Sequence, residues 1–178
     1  MTHEIIMAGF GGQGVMAMGK ILAEAALKEG KNVSWLPSYG PEMRGGTANC
    51  NVIVSDEPVG APVVSEATAA LILNRPSLDK FEGDVIPGGV LIINSSLIEQ
   101  KASRDDIKVY YVPANDIANE LGNGRIVNMV MLGAYLEASG AAKQDTIMEI
   151  ITEIFSGKKA SVIPVNKEAL VRGAACIK

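Results

Sequence analysis

Residues 9–14 read GFGGQG, and they sit between an extended apolar run at 4–8 and a helical repeat that starts at Val15. From there Val15, Met18, Leu22 and Ala26 recur at helical spacing, Lys20, Glu24 and Lys28 make the opposite, solvated stripe, and Gly30 ends the helix. Residues 32–36 are a second short strand. Strand, glycine turn, helix and strand in the first thirty-six residues specify a β-α-β unit with a right-handed crossover, which commits the chain to an α/β fold. The turn matches G-x-G-x-x-G. Such a turn gathers bare N–H groups and a helix N-terminus at one point, which suits a phosphate and equally suits another polypeptide backbone.

A loop dense in proline and glycine, PSYGPEMRGGT, follows at 37–47, and residues 48–54 then read as a strand whose short connection favours antiparallel pairing. Further strands are expected at 70–73, 90–93 and 109–112, the second launched by a turn at Pro87-Gly88-Gly89. The C-terminal third reads as helical. Residues 126–139 are apolar nearly all round, so over 127–135 this helix is either central to the chain's own core or an apolar surface for a partner, with Gly140 as its C-cap. Thr146 and Glu149 form a capping box ahead of a stripe of Ile147, Ile150, Ile151, Ile154 and Phe155 that stops at Gly157. Asn166 is expected to cap a last helix running to Arg172. The expectation is a three-layer α/β domain, a mixed, mostly parallel sheet flanked by helices with a Rossmann-like N-terminal β-α-β unit. The 178 residues, 48% hydrophobic and 20% charged, show no repeat or linker and suit a single domain over 1–178.

The net charge of −4 gives no reason to expect nucleic acid, since a backbone binder needs a basic surface to displace counterions. The two cysteines, Cys50 and Cys176, are far apart and in no C-x-x-C arrangement, so this chain alone holds neither an iron–sulfur cluster nor a structural zinc; both are expected as buried thiols. His3, the single histidine, lies near the terminus and is a poor candidate for imidazole chemistry. No signal-like start and no apolar run of membrane-spanning length is present, so no membrane partner is expected and a cytoplasmic location is the default.

A dinucleotide site of the G-x-G-x-x-G kind needs an acid about twenty residues beyond the glycines to hold the ribose hydroxyls. Here the second strand ends in Leu36-Pro37-Ser38-Tyr39, and the first acid, Glu42, lies well into the loop. The pattern therefore breaks where nicotinamide or flavin binding would need it, and glycines that merely allow close strand–helix packing remain the alternative. The second loop carries more information. Its prolines fix some backbone angles, its glycines free others, and Arg44, followed by Gly45 and Gly46, can present its guanidinium to a carboxylate or phosphate. The glycine turn and this loop follow successive strands of one unit, so both should emerge at the sheet edge where ligands of open α/β sheets sit.

GFGGQG followed one β-α-β unit later by PSYGPEMRGGTANC resembles the gamma subunit of the 2-oxoacid:ferredoxin oxidoreductases, over essentially the whole chain. The resemblance implies a subunit, inactive alone, of an enzyme that converts a 2-oxoacid, coenzyme A and oxidised ferredoxin into acyl-CoA, carbon dioxide and reduced ferredoxin. It implies alpha, beta and in some cases delta subunits as partners, ferredoxin as electron acceptor, and thiamine diphosphate, Mg²⁺ and iron–sulfur clusters held by the partner subunits, with no catalytic residue or metal ligand on this chain. For gamma it implies scaffolding and part of the coenzyme A site, the candidate residues being Gly9, Gly11, Gly12, Gln13 and Gly14 in the first loop and Ser38, Tyr39, Arg44, Gly45 and Gly46 in the second. The wording SYGPEM ahead of the arginine is more similar to the branch acting on 2-oxoglutarate or 2-ketoisovalerate than to the indolepyruvate oxidoreductases. The alternatives are an indolepyruvate oxidoreductase subunit and a free-standing nucleotide-binding α/β protein.

Overall fold

The computed structural model describes residues 1–38 and 47–177. Six strands form one sheet: β1 (Thr2–Phe10), β2 (Asn32–Ser38), β3 (Thr47–Ser55), β4 (Ala67–Ile72), β5 (Val85–Asn94) and β6 (Lys108–Val112), in the order β2-β3-β1-β4-β5-β6. The pairs β1–β4, β4–β5 and β5–β6 are parallel; β3 runs antiparallel to both β1 and β2. The sheet is therefore mixed and mostly parallel, as expected. The N-terminal unit carries one departure: β1 and β2 are parallel but not neighbours, because β3 lies between them. With eight residues between Ser38 and Thr47 the chain has no room for a crossover helix, so it returns antiparallel and fills the position beside β1.

β1 is central, and its alternating side chains feed two cores: Ile5 and Met7 on one face, Ile6 and Ala8 on the other. The first face is covered by α1 (Val15–Lys28), α3 (Ala114–Glu120), α4 (Val127–Ser139), α5 (Gln144–Ile154) and α6 (Ile163–Ala174). The second is covered more thinly, by α2 (Arg75–Phe81) through Leu78 and Phe81 and by loop residues Val64 and Ile98. This makes three layers with unequal outer ones. α4 is buried from Val127 to Leu136, which answers why it is apolar all round: it is the chain's own central helix and presents no surface to a partner. It crosses α6 so closely that a Cβ on Gly133 would lie 2.1 Å from the Leu170 carbonyl oxygen, and one on Gly173 would lie 1.9 Å from that of Val130. Gly140 closes α4 as expected.

Several local expectations give way. The Pro87-Gly88-Gly89 turn is a bulge inside β5: pairing passes from Ala67–Val85 directly to Ala69–Val90, and Gly88 N–H donates to the Asp106 carbonyl at 2.7 Å. The capping box is absent. α5 starts two residues before Thr146, and its N-cap Lys143 has its backbone N–H held by the Glu29 carboxylate at 2.8 Å, so a tertiary partner does the work. Asn166 does not cap α6. A 3-10 turn over Gly157–Val162 runs into the helix, leaving Asn166 inside the first turn with its amide donating to the Val162 carbonyl at 2.8 Å. Cys50 is buried under α1, and burial pushes its thiol up to about 12, whereas Cys176 is only half-buried.

Candidate functional site

The C-terminal ends of β1 and β2 lie at one edge of the sheet, on either side of the start of β3: Phe10 pairs with Thr47 and Ser38 with Asn49. Gly9 is the penultimate residue of β1, Gly11 to Gly14 form the turn into α1, and Ser38 ends β2, so these six candidates share the edge. Tyr39, Arg44, Gly45 and Gly46 lie outside the described residues. Their segment joins Ser38 to Thr47, two residues that are themselves at this edge. His3 sits at the other end of β1, away from the turn.

The turn is held largely by the chain itself. Gln13 bends back so that its Oε1 accepts the Phe10 N–H at 2.6 Å while its Nε2 donates to the Leu73 carbonyl at 3.5 Å. Gly9 has no side chain because that carboxamide fills the space: a Cβ there would be 2.5 Å from Gln13 Oε1 and 2.9 Å from Leu73 Cβ. Gly14, the N-cap of α1, has φ 77°, and a Cβ on it would be 2.5 Å from Nδ2 of Asn128, which donates to the Gly14 carbonyl at 3.1 Å. Gly12 also has positive φ, 92°, but nothing lies within 4 Å of where its Cβ would be.

The exposed part of the turn is Gly11 and Gly12. With Phe10, Gly14, Val15, Met16, Ala17 and Ala48 they line an open concavity of about 330 Å³ that is mainly apolar and, among the described residues, has no charged side chain. The first turn of α1 beside it has Ala17 exposed, no side-chain cap and no acidic residue, so N–H groups at its start are open to an anion or a peptide carbonyl. Among the described residues no group of three His, Cys, Asp or Glu is placed to hold a metal. The described residues of this edge offer neutral donors and an apolar wall, an arrangement suited to binding and orienting, and none of those lining the concavity is a proton-transfer group.

Three residues that sequence reasoning missed organise the edge. Asn128 fixes Gly14 from α4. Asn94, fully buried at the end of β5, donates to the same Leu73 carbonyl as Gln13, at 3.3 Å, and to Asn115 Oδ1 at 2.7 Å, and its Oδ1 accepts the Ala114 N–H that starts α3. Asn74 caps α2 by accepting the Ser77 N–H at 3.1 Å. The signal for each was an amide closing or interrupting an apolar run, LILN, LIIN and IVNMVM, since a polar group in such a place has to be bonded.

The family model for pyruvate ferredoxin/flavodoxin oxidoreductases matches residues 4–176. The chain is 41% identical over 172 residues to ketoisovalerate oxidoreductase subunit VorA of Methanothermobacter marburgensis, covering 96% of this chain and 36% of that protein. It thus spans about a third of the length of that relative. It is 35% identical over 156 residues to 2-oxoglutarate synthase subunit KorC of Methanocaldococcus jannaschii, covering 86% of this chain and 83% of KorC. Among solved structures, the gamma subunit of a keto/oxoacid ferredoxin oxidoreductase from Geobacter sulfurreducens PCA is 30% identical and superposes with a TM-score of 0.83 over 98% of this chain and 97% of that one. A 2-oxoglutarate:ferredoxin oxidoreductase from Magnetococcus marinus superposes with a TM-score of 0.90 at 25% identity, over 98% of this chain and 31% of that one. The mixed sheet, the glycine turn at its edge and a family match that runs through nearly every element place this chain in the pyruvate ferredoxin/flavodoxin oxidoreductase family.

Proposed function

We propose that residues 1–178 are a single gamma-type domain of a 2-oxoacid:ferredoxin oxidoreductase, acting in a complex that converts a 2-oxoacid, coenzyme A and oxidised ferredoxin into acyl-CoA, carbon dioxide and reduced ferredoxin. The family match across residues 4–176 carries this reading, and the match over 83% of KorC, itself named a subunit, supports it. The relatives' names favour 2-ketoisovalerate or 2-oxoglutarate as the 2-oxoacid. Alpha and beta subunits, and a delta subunit in some assemblies, would hold thiamine diphosphate, Mg²⁺ and the iron–sulfur clusters, and ferredoxin would take the electrons. A cytoplasmic location accords with such an enzyme, and no helix among the described residues is long and apolar enough to cross a membrane.

Within the complex this chain scaffolds and contributes to the coenzyme A site. Gly11, Gly12 and the uncapped start of α1 supply N–H donors, Ser38 a hydroxyl, and Arg44, flanked by Gly45 and Gly46, a cation for a phosphate. The apolar wall beside the turn suits the uncharged part of such a ligand. Copurification from native extract tests the assembly. Arg44→Ala tests the site: loss of a charge-assisted contact worth roughly 1.5–3 kcal/mol raises the apparent KM for coenzyme A about tenfold to a hundredfold. Formation of the adduct between the 2-oxoacid and thiamine diphosphate stays nearly unchanged. An unchanged KM together with a dissociated complex would instead assign Arg44 to a subunit interface.

A further inference from the structure

Beside the glycine turn, but on the α4 side, a second cavity of about 340 Å³ opens between the 3-10 turn of Gly124–Ile126, which leads into α4, and that of Gly157–Val162, which leads into α6. We propose that it is a phosphoryl-binding site, taking a phosphate group carried by a ligand that also has hydroxyl or amino donors. The inference does not rest on the coenzyme A reading, because none of the residues that argue for it belongs to the ten candidates of the two loops.

Arg125 and Lys159 flank the cavity from its two sides, and among the described residues no acidic side chain lines it. Among the described residues neither cation makes an ion pair, whereas Arg104 is paired with Asp106 and Arg172 with Glu120. Asn123 lines the cavity as well and caps the short 3-10 turn that carries Arg125, its Oδ1 accepting the Arg125 N–H at 3.0 Å. A doubly charged phosphate, with oxygens to share between two separated donors, matches this better than a carboxylate does.

The amides specify more than charge. Asn166 is only 6% exposed and lines the cavity; its Nδ2 is committed to the Val162 carbonyl, which leaves its Oδ1 without a partner among the described residues. An acceptor at that place suits an O–H or N–H beside the phosphate, so a ligand that carries both groups should bind more tightly than a bare anion. Asn128, 9% exposed, forms the wall shared with the glycine turn through its bond to the Gly14 carbonyl. The volume lies at the small end of the range for ligand pockets, about 300–1,000 Å³, enough for a phosphate and the group it esterifies.

Amide chemical shifts of the full chain, followed at constant ionic strength during titration with inorganic pyrophosphate and separately with coenzyme A, test the assignment. Saturable shifts are expected at Arg125 and at the backbone and side-chain amides of Asn166, with affinity lowered at least about tenfold in the double variant Arg125→Gln, Lys159→Gln, as the loss of charge-assisted bonds requires. Shifts with pyrophosphate identify a free phosphate as a sufficient ligand, and shifts with coenzyme A alone identify that molecule's own phosphates. Both exchanged side chains are exposed, and unchanged shifts through α1 and β1 verify that the variant is folded. No saturable shift with either probe, or affinity undiminished in the variant, overturns the proposal. Shifts at Gly11 and Gly12 with coenzyme A but none at Arg125 and Asn166 overturn it while leaving the coenzyme reading intact.

Discussion

Replacing Gly14 with alanine separates the two readings of the glycine turn, because the structure assigns that position a cost that its neighbour Gly12 does not share. Both have positive φ, 77° and 92°, so alanine at either carries a left-handed backbone penalty of about 1–2 kcal/mol, partly offset by the loss of glycine's freedom in the unfolded chain. At Gly12 nothing else is touched, and the expected destabilisation is about 1 kcal/mol. At Gly14 the new Cβ would stand 2.5 Å from Asn128 Nδ2 and 3.2 Å from Asn128 Cβ, against an ordinary contact distance near 3.4 Å. The amide would have to retreat by about 0.9 Å, and with its Cβ also crowded it cannot do so while keeping its bond to the Gly14 carbonyl. A buried amide left unpaired costs about 1–3 kcal/mol, so Gly14→Ala should cost about 2–4 kcal/mol in all. Asn128→Ala removes the obstacle. In that background Gly14→Ala should fall back to about 1 kcal/mol, a coupling of about 1–3 kcal/mol in a double-mutant cycle measured by urea denaturation. Equal costs at positions 12 and 14, or additivity within about 0.5 kcal/mol, would refute the claim that Gly14 is glycine because of Asn128.

Gly173→Ala should be at least as damaging as Gly14→Ala, since the new Cβ would lie 1.9 Å from the Val130 carbonyl oxygen and backbone cannot swing aside. A loss of about 2–4 kcal/mol, seen as a melting temperature lower by roughly 5–15 °C, is expected, and an unchanged melting temperature would show that α4 and α6 do not cross this closely. Asp56 is held down to about 2 by its hydrogen bonds to Lys31 and the terminal amine. A carboxylate depressed on folding adds stability that is present above its unfolded value near 4 and lost as pH falls from there towards 2, so Asp56→Asn should flatten the pH dependence of the melting temperature in that window.

What the sequence made legible was local. The strand, turn, helix and strand of residues 4–36 follow from apolar period and glycine placement, and the antiparallel return of β3 follows from the shortness of the loop before it. α4 was legible as a helix but not as a core helix, because apolar residues all round say that something covers it without saying whether α6 or another chain does. The termini of α5 and α6 misled for the same reason. Glu29, more than a hundred residues away in sequence, holds the backbone N–H at which α5 starts, and no local pattern announces it. α2 and α3, seven residues each, are too short for a period to show, although Asn74 followed by Pro76 was a readable start signal for α2.

The same distinction bears on the motif itself. G-x-G-x-x-G in the sequence makes all three glycines look alike, yet in the fold the first and last are accounted for by Gln13 and Asn128 of the same chain. Gln13, which a motif reading would turn towards a ligand, spends both ends of its carboxamide on the backbone of the turn and of the segment after β4. That leaves Gly12, in the middle of the motif, as a part of the turn that faces the open concavity and has nothing within 4 Å of where its Cβ would be. The missing ribose-binding acid and the self-contained flanking glycines then have one cause: the turn is built to be rigid first, and it offers a short strip of backbone, beside the end of β2 and the segment after it, for whatever coenzyme or subunit approaches that edge. A ligand seated there should therefore be sensitive to side chains added at Gly12, which cost the fold little, and to changes at Gly9, which does not line the concavity, only through the fold.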